Sequence, residues 1–105
     1  MPEKYAFKMM LKPGMKGEYK KRHDEIWPEL VQALREAGIY DYSIFLDEED
    51  MHLFAVLKLR DNNKRDLLPG HPVMRRWWVY MQDLMYTQPD GRPNEWPLTP
   101  MFHFD

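Results

Sequence analysis

The segment YKKRHDEIWPEL, which begins at Tyr19, contains the residues best suited to chemistry in this chain. Tyr19, His23 and Trp27 are spaced at i, i+4 and i+8, so on a helix they share one face. Histidine titrates near neutral pH and can give and take a proton, and a tyrosine hydroxyl can donate or accept a hydrogen bond. His23 is therefore the candidate catalytic residue, and the aromatic rings beside it are typical of the wall of a small-ligand site.

Plain structural interpretations compete with this one. His23 lies between Arg22 and Asp24, where a histidine on a polar surface needs no functional explanation. The basic run Lys20-Lys21-Arg22 is most simply a solvated helix face. On local sequence alone, both interpretations of His23 stay open.

A second aromatic cluster, Trp77-Trp78, follows far along the chain. Adjacent residues on a helix point about 100° apart, so one ring is expected to pack inward and the other to line a cleft. Tyr42, on a predicted strand, is expected to point into the same space. Packing alone would also explain the tryptophans as helix anchors and Tyr42 as a strand aromatic.

Other common kinds of site find little support in the sequence. His52, His71 and His103 lack the close paired spacing of metal ligands, and the chain has no cysteine, so no metal site is predicted. The sequence has no glycine-rich phosphate loop. Ser43, the one serine, does not lie in a nucleophile elbow.

The composition predicts a single domain over residues 1–105. Hydrophobic residues make up 44% of the chain, which is enough for a packed core. The net charge of −2, from 15 basic and 17 acidic residues, argues against a nucleic-acid partner. The sequence contains neither an apolar run of membrane-spanning length nor a signal-peptide pattern, and it lacks cysteine. A cytoplasmic location without membrane association is therefore expected.

Hydrophobic periodicity predicts the order strand, helix, strand, strand, helix, strand. The strands are expected at 5–12, 40–47, 52–59 and 101–104, and the helices at 16–37, 62–68 (a short one) and 73–85. Pro28 interrupts the first helical pattern, so a kink, or two short helices meeting between His23 and Trp27, is expected there. Trp27 is expected to hold that kink.

This element order is the split ferredoxin-like βαββαβ arrangement of the α+β class. Right-handed crossovers place both main helices on one face of a four-stranded antiparallel sheet. The strands nevertheless have apolar residues on both faces, with Leu53 and Leu57 on one and Phe54 and Val56 on the other. An uncovered apolar face implies a partner, so a homodimer packed sheet on sheet is predicted.

A family resemblance covers nearly the whole chain and is clearest in three segments: YKKRHDEIWPEL at 19–30, YDYSIFLD at 40–47 and RRWWVYMQDLM at 75–85. In order and spacing they closely resemble the L-rhamnose mutarotases. The resemblance implies a dimeric α/β barrel, which agrees with the element order. It also implies an isomerase that interconverts the α and β anomers of L-rhamnose without a cofactor.

The resemblance implies residue roles position by position. His23 matches the histidine proposed as the proton donor, and the positions that contact the sugar are matched by Tyr19, Tyr42, Trp77 and Trp78. A pyranose opens when the anomeric hydroxyl loses a proton and the ring oxygen gains one. His23 is hypothesised to handle one of these protons, and Tyr19 or a bound water assists with the other.

Alternatives to this function stay open. The proline-rich segment 87–99 and the break PGHP at 69–72 depart from the family pattern, and they are candidates to border the pocket. Another deoxy sugar or a pentose is therefore an alternative substrate. The same dimeric barrel also suits a small cofactor-independent monooxygenase or a haem-handling enzyme. A non-catalytic sugar-binding module would keep the tryptophans without depending on His23.

Overall fold

A computed structural model describes residues 3–105. The strands are β1 (Glu3–Met10), β2 (Ile39–Asp47), β3 (His52–Leu59) and β4 (Trp96–Pro97). The helices are α1 (Lys16–Asp24), α2 (Pro28–Glu36) and α3 (Pro72–Met81), with 3-10 turns at Arg65–Gly70 and Gln82–Leu84. The strand order β2-β3-β1-β4 is that of the ferredoxin-like arrangement, so the predicted α+β class is confirmed. In the described part of the chain, every helix is too short or too polar to cross a membrane.

Pro28 divides the first helical pattern into two helices, as the sequence predicts. α1 ends at Asp24, and Pro28 is the first residue of α2, where a missing N–H removes no helical hydrogen bond. Trp27 is the N-cap residue of α2, and its extended backbone (φ −64°, ψ 132°) is the conformation that a residue before proline prefers. The break therefore follows directly on the helix that contains His23.

The core lies between the helices and one face of the sheet. Alternate residues of β1 and β3 point into it and pair across the strands, with Phe7 opposite Ala55 and Met9 opposite Leu53. On the helical side, Leu30 of α2 is buried in the same core. Each large apolar side chain that leaves water in this way stabilises the fold by about 2 kcal/mol.

β2 is irregular near its start, where its register against β3 shifts between Tyr40 and Ser43. Asp41 lies within this bulge with a φ of 48°, a left-handed conformation that aspartate adopts more readily than most residues. Beyond the shift, Ile44 pairs with β3 again, and both Tyr42 and Ile44 line a cavity on the helical side. The bulge therefore helps to determine where Tyr42 points.

Gly38 links α2 to β2 and packs against the segment before the first 3-10 turn. Its φ of +87° is left-handed, and a Cβ at this position would lie 2.9 Å from the Cβ of Asn63. Glycine is therefore required both by the backbone and by the space, as expected for a helix C-terminus. Beside it, the backbone N–H of Lys64 donates to the carbonyl of Ala37 at 2.8 Å, which fixes the start of the 3-10 turn.

The prediction of a closing strand at 101–104 is wrong. The fourth strand lies earlier, at Trp96–Pro97, and pairs with the middle of β1. Residues 101–105 have no regular secondary structure, and their large apolar side chains are 85–88% exposed: Met101, Phe102 and Phe104. The alternation that predicted a strand is present in the sequence, but within one chain these side chains have no packed environment.

The sheet face opposite the helices is open and apolar, as the two-sided pattern of the strands predicts. Several large side chains on the strands or on the segment after β4 are exposed: Phe45 (65%), Phe54 (36%), Trp96 (43%) and Leu98 (37%). Lys8 of β1 pairs with Phe54 across the same face and interrupts its apolar surface. One chain by itself therefore leaves a mixed but largely apolar sheet surface in contact with water.

Candidate active site

Two adjacent cavities lie on the helical side of the sheet. The first has a volume of about 540 Å³ and is lined by His23; we call it the His23 cavity. The second has a volume of about 490 Å³ and is lined by Arg65; we call it the Arg65 cavity. Four of the five predicted site residues line the His23 cavity: Tyr19, His23, Tyr42 and Trp77. The fifth, Trp78, lines the Arg65 cavity, and Tyr42 lines both.

His23 is held by a hydrogen bond to its own helix. The ring atom Nδ1 lies 3.0 Å from the carbonyl oxygen of Tyr19, one turn earlier in α1. Because a carbonyl can only accept, Nδ1 bears the proton in this bond. In a neutral imidazole the other nitrogen, Nε2, then has a free lone pair. The helical i, i+4 spacing thus orients the ring and leaves Nε2 able to take up a proton.

Burial favours the neutral form of this imidazole. Desolvation lowers the pKa of His23 below its ordinary value of 6.5, and this effect outweighs the hydrogen bond to Tyr19 and the charge of Asp24, which both raise the pKa. His23 is therefore neutral at pH 7. It can accept a proton at Nε2 and return it, as a general acid–base group must.

The two tyrosines of the His23 cavity are hydrogen-bond donors rather than bases. Tyr19 is 8% exposed, and burial raises the pKa of its hydroxyl far above 10. The neighbouring Tyr42 raises this pKa further. Although Tyr42 is 39% exposed as a residue, desolvation also raises the pKa of its hydroxyl well above 10. Both hydroxyls therefore keep their protons at neutral pH.

Aromatic packing fixes the ring of Trp77 against His23. The two ring centroids are 5.4 Å apart with an interplanar angle of 89°, an edge-to-face contact. Trp27 makes a second edge-to-face contact with Trp77 at 5.1 Å and 87°. Trp27 lines neither cavity, so its contribution to the site is to support Trp77.

The two adjacent tryptophans of α3 point to different places, as their helical spacing predicts. Trp77 is 5% exposed and faces α1. Trp78 is half-buried and lines the Arg65 cavity. The five predicted site residues are thus divided between two cavities, and of these five Tyr42 alone lines both.

Comparison with known proteins gives a consistent result. The family model for L-rhamnose mutarotase matches residues 4–104. An L-rhamnose mutarotase of Mesorhizobium japonicum is 63% identical over 103 residues, which are 98% of this chain and 98% of that protein. One of Jannaschia sp. is 60% identical over 101 residues, covering 96% of this chain and 97% of that protein. The chain belongs to the L-rhamnose mutarotase family.

Solved structures agree with this family and with the fold. The crystal structure of an L-rhamnose mutarotase from Formosa agariphila is 42% identical and superposes with a TM-score of 0.91, covering 98% of this chain and 99% of that chain. A structure from Mycobacterium tuberculosis is 17% identical with a TM-score of 0.60 over the whole of both chains, and it shows a likeness of fold alone. The family resemblance of the three sequence segments is confirmed.

Arg22 corrects one expectation about α1 in this member of the family. It was expected on a solvated basic face, but its side chain is only 13% exposed. Its guanidinium binds both carboxylate oxygens of Asp83 (2.9 and 3.3 Å) and donates to the carbonyl of Tyr80 at 2.6 Å. Lys20 in the same run is 74% exposed, as expected. Arg22 therefore ties α1, one residue before His23, to the end of α3.

No pattern in the sequence pointed to two charged residues of the Arg65 cavity. Arg65 Nη2 donates to Glu95 Oε1 at 3.0 Å, and Glu95 belongs to the proline-rich segment before β4. The two residues are 30 positions apart in the chain, so neither helical nor strand periodicity relates them. The one available signal was the departure of this proline-rich segment from the family pattern, and residues of that segment do line the cavity.

Proposed function

We propose that this protein is an L-rhamnose mutarotase, an isomerase that interconverts the α and β anomers of the sugar. The observation that carries the proposal is the neutral His23, with Nε2 free, in a cavity whose other walls include Tyr19 and Trp77. Family membership over residues 4–104 supports the same conclusion. Anomer exchange asks for proton transfer and orientation of the sugar, and this set of residues can supply both.

The proposed reaction begins with the anomeric hydroxyl near Nε2 of His23. Nε2 takes the hydroxyl proton, the bond between the anomeric carbon and the ring oxygen breaks, and the ring oxygen takes a proton. The Tyr19 hydroxyl, which burial keeps protonated, holds a water that donates this second proton as the ring opens and takes it back from the same oxygen when the ring recloses. The aldehyde then rotates about the adjacent carbon–carbon bond and the ring recloses on the other face. His23 returns its proton to the newly formed hydroxyl.

The remaining predicted residues are proposed to hold the sugar. Trp77 and Trp78 offer aromatic surfaces to the C–H side of the pyranose, which packs well on a ring. Tyr42 donates a hydrogen bond from a hydroxyl that stays protonated. In this proposal His23 is the catalytic residue, and the substrate-binding residues are Tyr19, Tyr42, Trp77 and Trp78.

Saturation-transfer NMR on a panel of L- and D-sugars tests the proposal. We expect the protein to accelerate exchange between the α and β anomers of L-rhamnose over buffer, and to act less on sugars with a different arrangement of hydroxyls. Binding of rhamnose without faster exchange would instead identify a sugar-binding module. A change in visible absorption on adding haem or a quinol would favour the other enzymes of this barrel fold.

We further propose that two copies pack sheet on sheet to form a homodimer. The support is the open sheet face, where Phe45, Phe54 and Trp96 are exposed to water in a single chain. Light scattering after size exclusion should give twice the 12.8 kDa of one chain. Phe54→Lys should shift the mass toward the monomer, whereas Leu67→Lys, an equally drastic change at an exposed residue of the 3-10 turn, should not.

The cellular setting is also a proposal. We propose that the protein acts in the cytoplasm as one catalytic domain that needs no cofactor. The cysteine-free sequence supports a reducing compartment, and the family match spans one domain. Cell fractionation would test the location, and activity after exhaustive dialysis against chelator would test the independence from a cofactor.

A further inference from the structure

The Arg65 cavity contains an ion pair that is held from two sides. Arg65 Nη2 donates to Glu95 Oε1 at 3.0 Å, and the hydroxyl of Tyr5 donates to the same oxygen at 3.0 Å. The guanidinium carbon of Arg65 also lies 4.2 Å from the centre of the Tyr5 ring. The side chains of Arg65 and Glu95 are 27% and 34% exposed, so both charges are partly removed from water. Their positions are therefore fixed before any ligand arrives.

This pair leaves hydrogen-bonding capacity unused. Both donors bind Oε1 of Glu95, and within residues 3–105 its other oxygen, Oε2, accepts no hydrogen bond. The Arg65 guanidinium has five N–H donors, and Nη2 supplies the one that binds Glu95. A carboxylate oxygen that can accept thus lies beside guanidinium N–H groups that can donate, on the wall of a cavity.

The Arg65 cavity adjoins the His23 cavity. Tyr42, Leu34 and Met74 line both cavities, so the two spaces share one wall. The charges of Glu95 and Arg65 act on the Tyr42 hydroxyl, which places the pair close to a residue of the His23 cavity. Trp78 offers an aromatic surface in the same space as the pair. Adjacent donor, acceptor and aromatic surface are what a sugar ring with neighbouring hydroxyls requires.

We propose that Arg65 and Glu95 bind ring hydroxyls of the substrate remote from its anomeric carbon and thereby determine which sugars are accepted. This inference rests on the proposed mutarotase function. With the anomeric carbon at His23, the far side of the ring reaches past Tyr42 toward the pair. Glu95 Oε2 accepts a hydrogen bond from one hydroxyl, and Arg65 donates to the oxygen of its neighbour. A sugar with one of these hydroxyls inverted or missing leaves Glu95 Oε2 or an Arg65 N–H without a hydrogen-bond partner in a partly buried site, and it is rejected.

Glu95→Gln and Arg65→Gln test the proposal, because the first removes a charge at constant size and the second removes a charge but keeps a polar side chain. The matched controls are Glu36→Gln and Arg35→Gln on the exposed side of α2, away from both cavities. For L-rhamnose we expect KM to rise about tenfold or more in each test variant, the usual effect of losing a hydrogen bond to a charged group, with kcat nearly unchanged. The preference for L-rhamnose over sugars inverted at a single remote hydroxyl should fall by about the same factor. Both controls should behave as wild type.

Thermal melting of the variants distinguishes a role of the ion pair in sugar recognition from a purely structural role. If Arg65 and Glu95 only fasten the proline-rich segment, the test variants will melt at lower temperature with KM and sugar preference unchanged, and the inference is overturned. Glu95→Asp, which keeps the charge, guards against a variant that does not fold, and it should retain more of the preference than Glu95→Gln. If wild-type protein accelerates exchange of L-rhamnose and the test variants match the controls, this inference alone fails. If wild type accelerates no sugar of the panel, the proposed function fails with it.

Discussion

The His23 cavity and the Arg65 cavity share a wall but differ in how their polar groups are held. In the first, the imidazole of His23 is desolvated and neutral, and it shares the cavity lining with the apolar strand residues Ile44 and Leu53. In the second, opposite charges on Arg65 and Glu95 are paired at 3.0 Å. Proton exchange requires a group that changes its charge state near neutral pH, whereas recognition of hydroxyls requires charges that stay fixed. The difference agrees with our proposal that reaction and recognition occupy different parts of one site.

The two cavities also differ in the elements that build them. Tyr19 and His23 of the first lie on one helix, where spacing along the chain determines their geometry. Arg65 comes from a 3-10 turn and Glu95 from an irregular segment, and a contact across 30 residues brings them together. Regular secondary structure thus holds the proposed proton-transfer group, and irregular segments hold the proposed recognition groups. Irregular segments tolerate sequence change better, so specificity can vary while the reaction is kept.

The largest expected effect comes from removing the titrating group of the His23 cavity. His23→Asn should lower kcat for anomer exchange by about 10²–10⁴-fold, the usual contribution of a general acid–base residue. KM should change far less, because the Arg65 cavity is untouched. Saturation-transfer NMR measures both quantities once the buffer rate is subtracted. His52→Asn on β3, outside both cavities, is the matched control, and an unchanged rate in His23→Asn would remove His23 from the mechanism.

The adjacent tryptophans should then separate stability from binding. Trp77 is 5% exposed and packs on both His23 and Trp27, so Trp77→Ala should cost about 3–5 kcal/mol of unfolding free energy. Trp78→Ala should cost clearly less and should mainly raise KM, since Trp78 lines the Arg65 cavity. Urea denaturation at constant protein concentration measures the first quantity. Equal losses of stability in the two variants would contradict the different packing of the two rings.

The pH dependence of activity should follow His23. Because burial lowers its pKa below 6.5, Nε2 is unprotonated at pH 7, and the enzymatic rate should be flat above pH 6.5. The rate should fall at lower pH, with a midpoint below 6.5, as Nε2 becomes protonated. A midpoint above 6.5, measured by NMR with buffer rates subtracted, would contradict a desolvated imidazole.

Folding stability should show the same linkage. In the unfolded chain His23 binds a proton near its ordinary pKa of 6.5, but in the folded chain it does so only at lower pH. The unfolded state therefore binds more protons in the interval between the two values, so stability falls as pH decreases through it. His23→Asn should weaken this dependence. An identical pH dependence in wild type and variant would mean that the folded pKa of His23 is not lowered.

The smallest expected effect concerns the support of α1. Arg22→Lys removes the two-pronged contact with Asp83 and should lower the unfolding free energy by about 1 kcal/mol, a small value because Asp83 is 63% exposed and screened by water. A modest loss of kcat should accompany it, since the next residue is His23. Lys21→Gln, at an exposed position of the same run that lines neither cavity, should change neither quantity. If Arg22→Lys and the control variant have the same unfolding free energy and the same kcat, Arg22 is dispensable for positioning α1.

Local spacing was enough to predict much of this molecule. The shared face of Tyr19 and His23, the helix break at Pro28 and the hairpin of β2 and β3 all follow from preferences that act over a few residues. The order of these elements was enough to predict the ferredoxin-like sheet, because few topologies are compatible with it. The divergence of Trp77 and Trp78 follows from helical geometry in the same way. The sequence by itself thus determined the helices, the first three strands, the fold class and the candidate proton-transfer group.

Only the tertiary structure decided which distant segments meet. The burial of Arg22 depends on Asp83, 61 residues later, and the Arg65–Glu95 pair depends on the path of the proline-rich segment that leads into β4. The fourth strand lies at Trp96–Pro97 rather than at 101–104 because its backbone pairs with β1, while alternation alone favoured the later segment. Such contacts leave no periodic trace in the sequence, since each partner is locally an ordinary charged or loop residue. Their energies arise from desolvation and pairing across the fold, which exist only once the chain has packed.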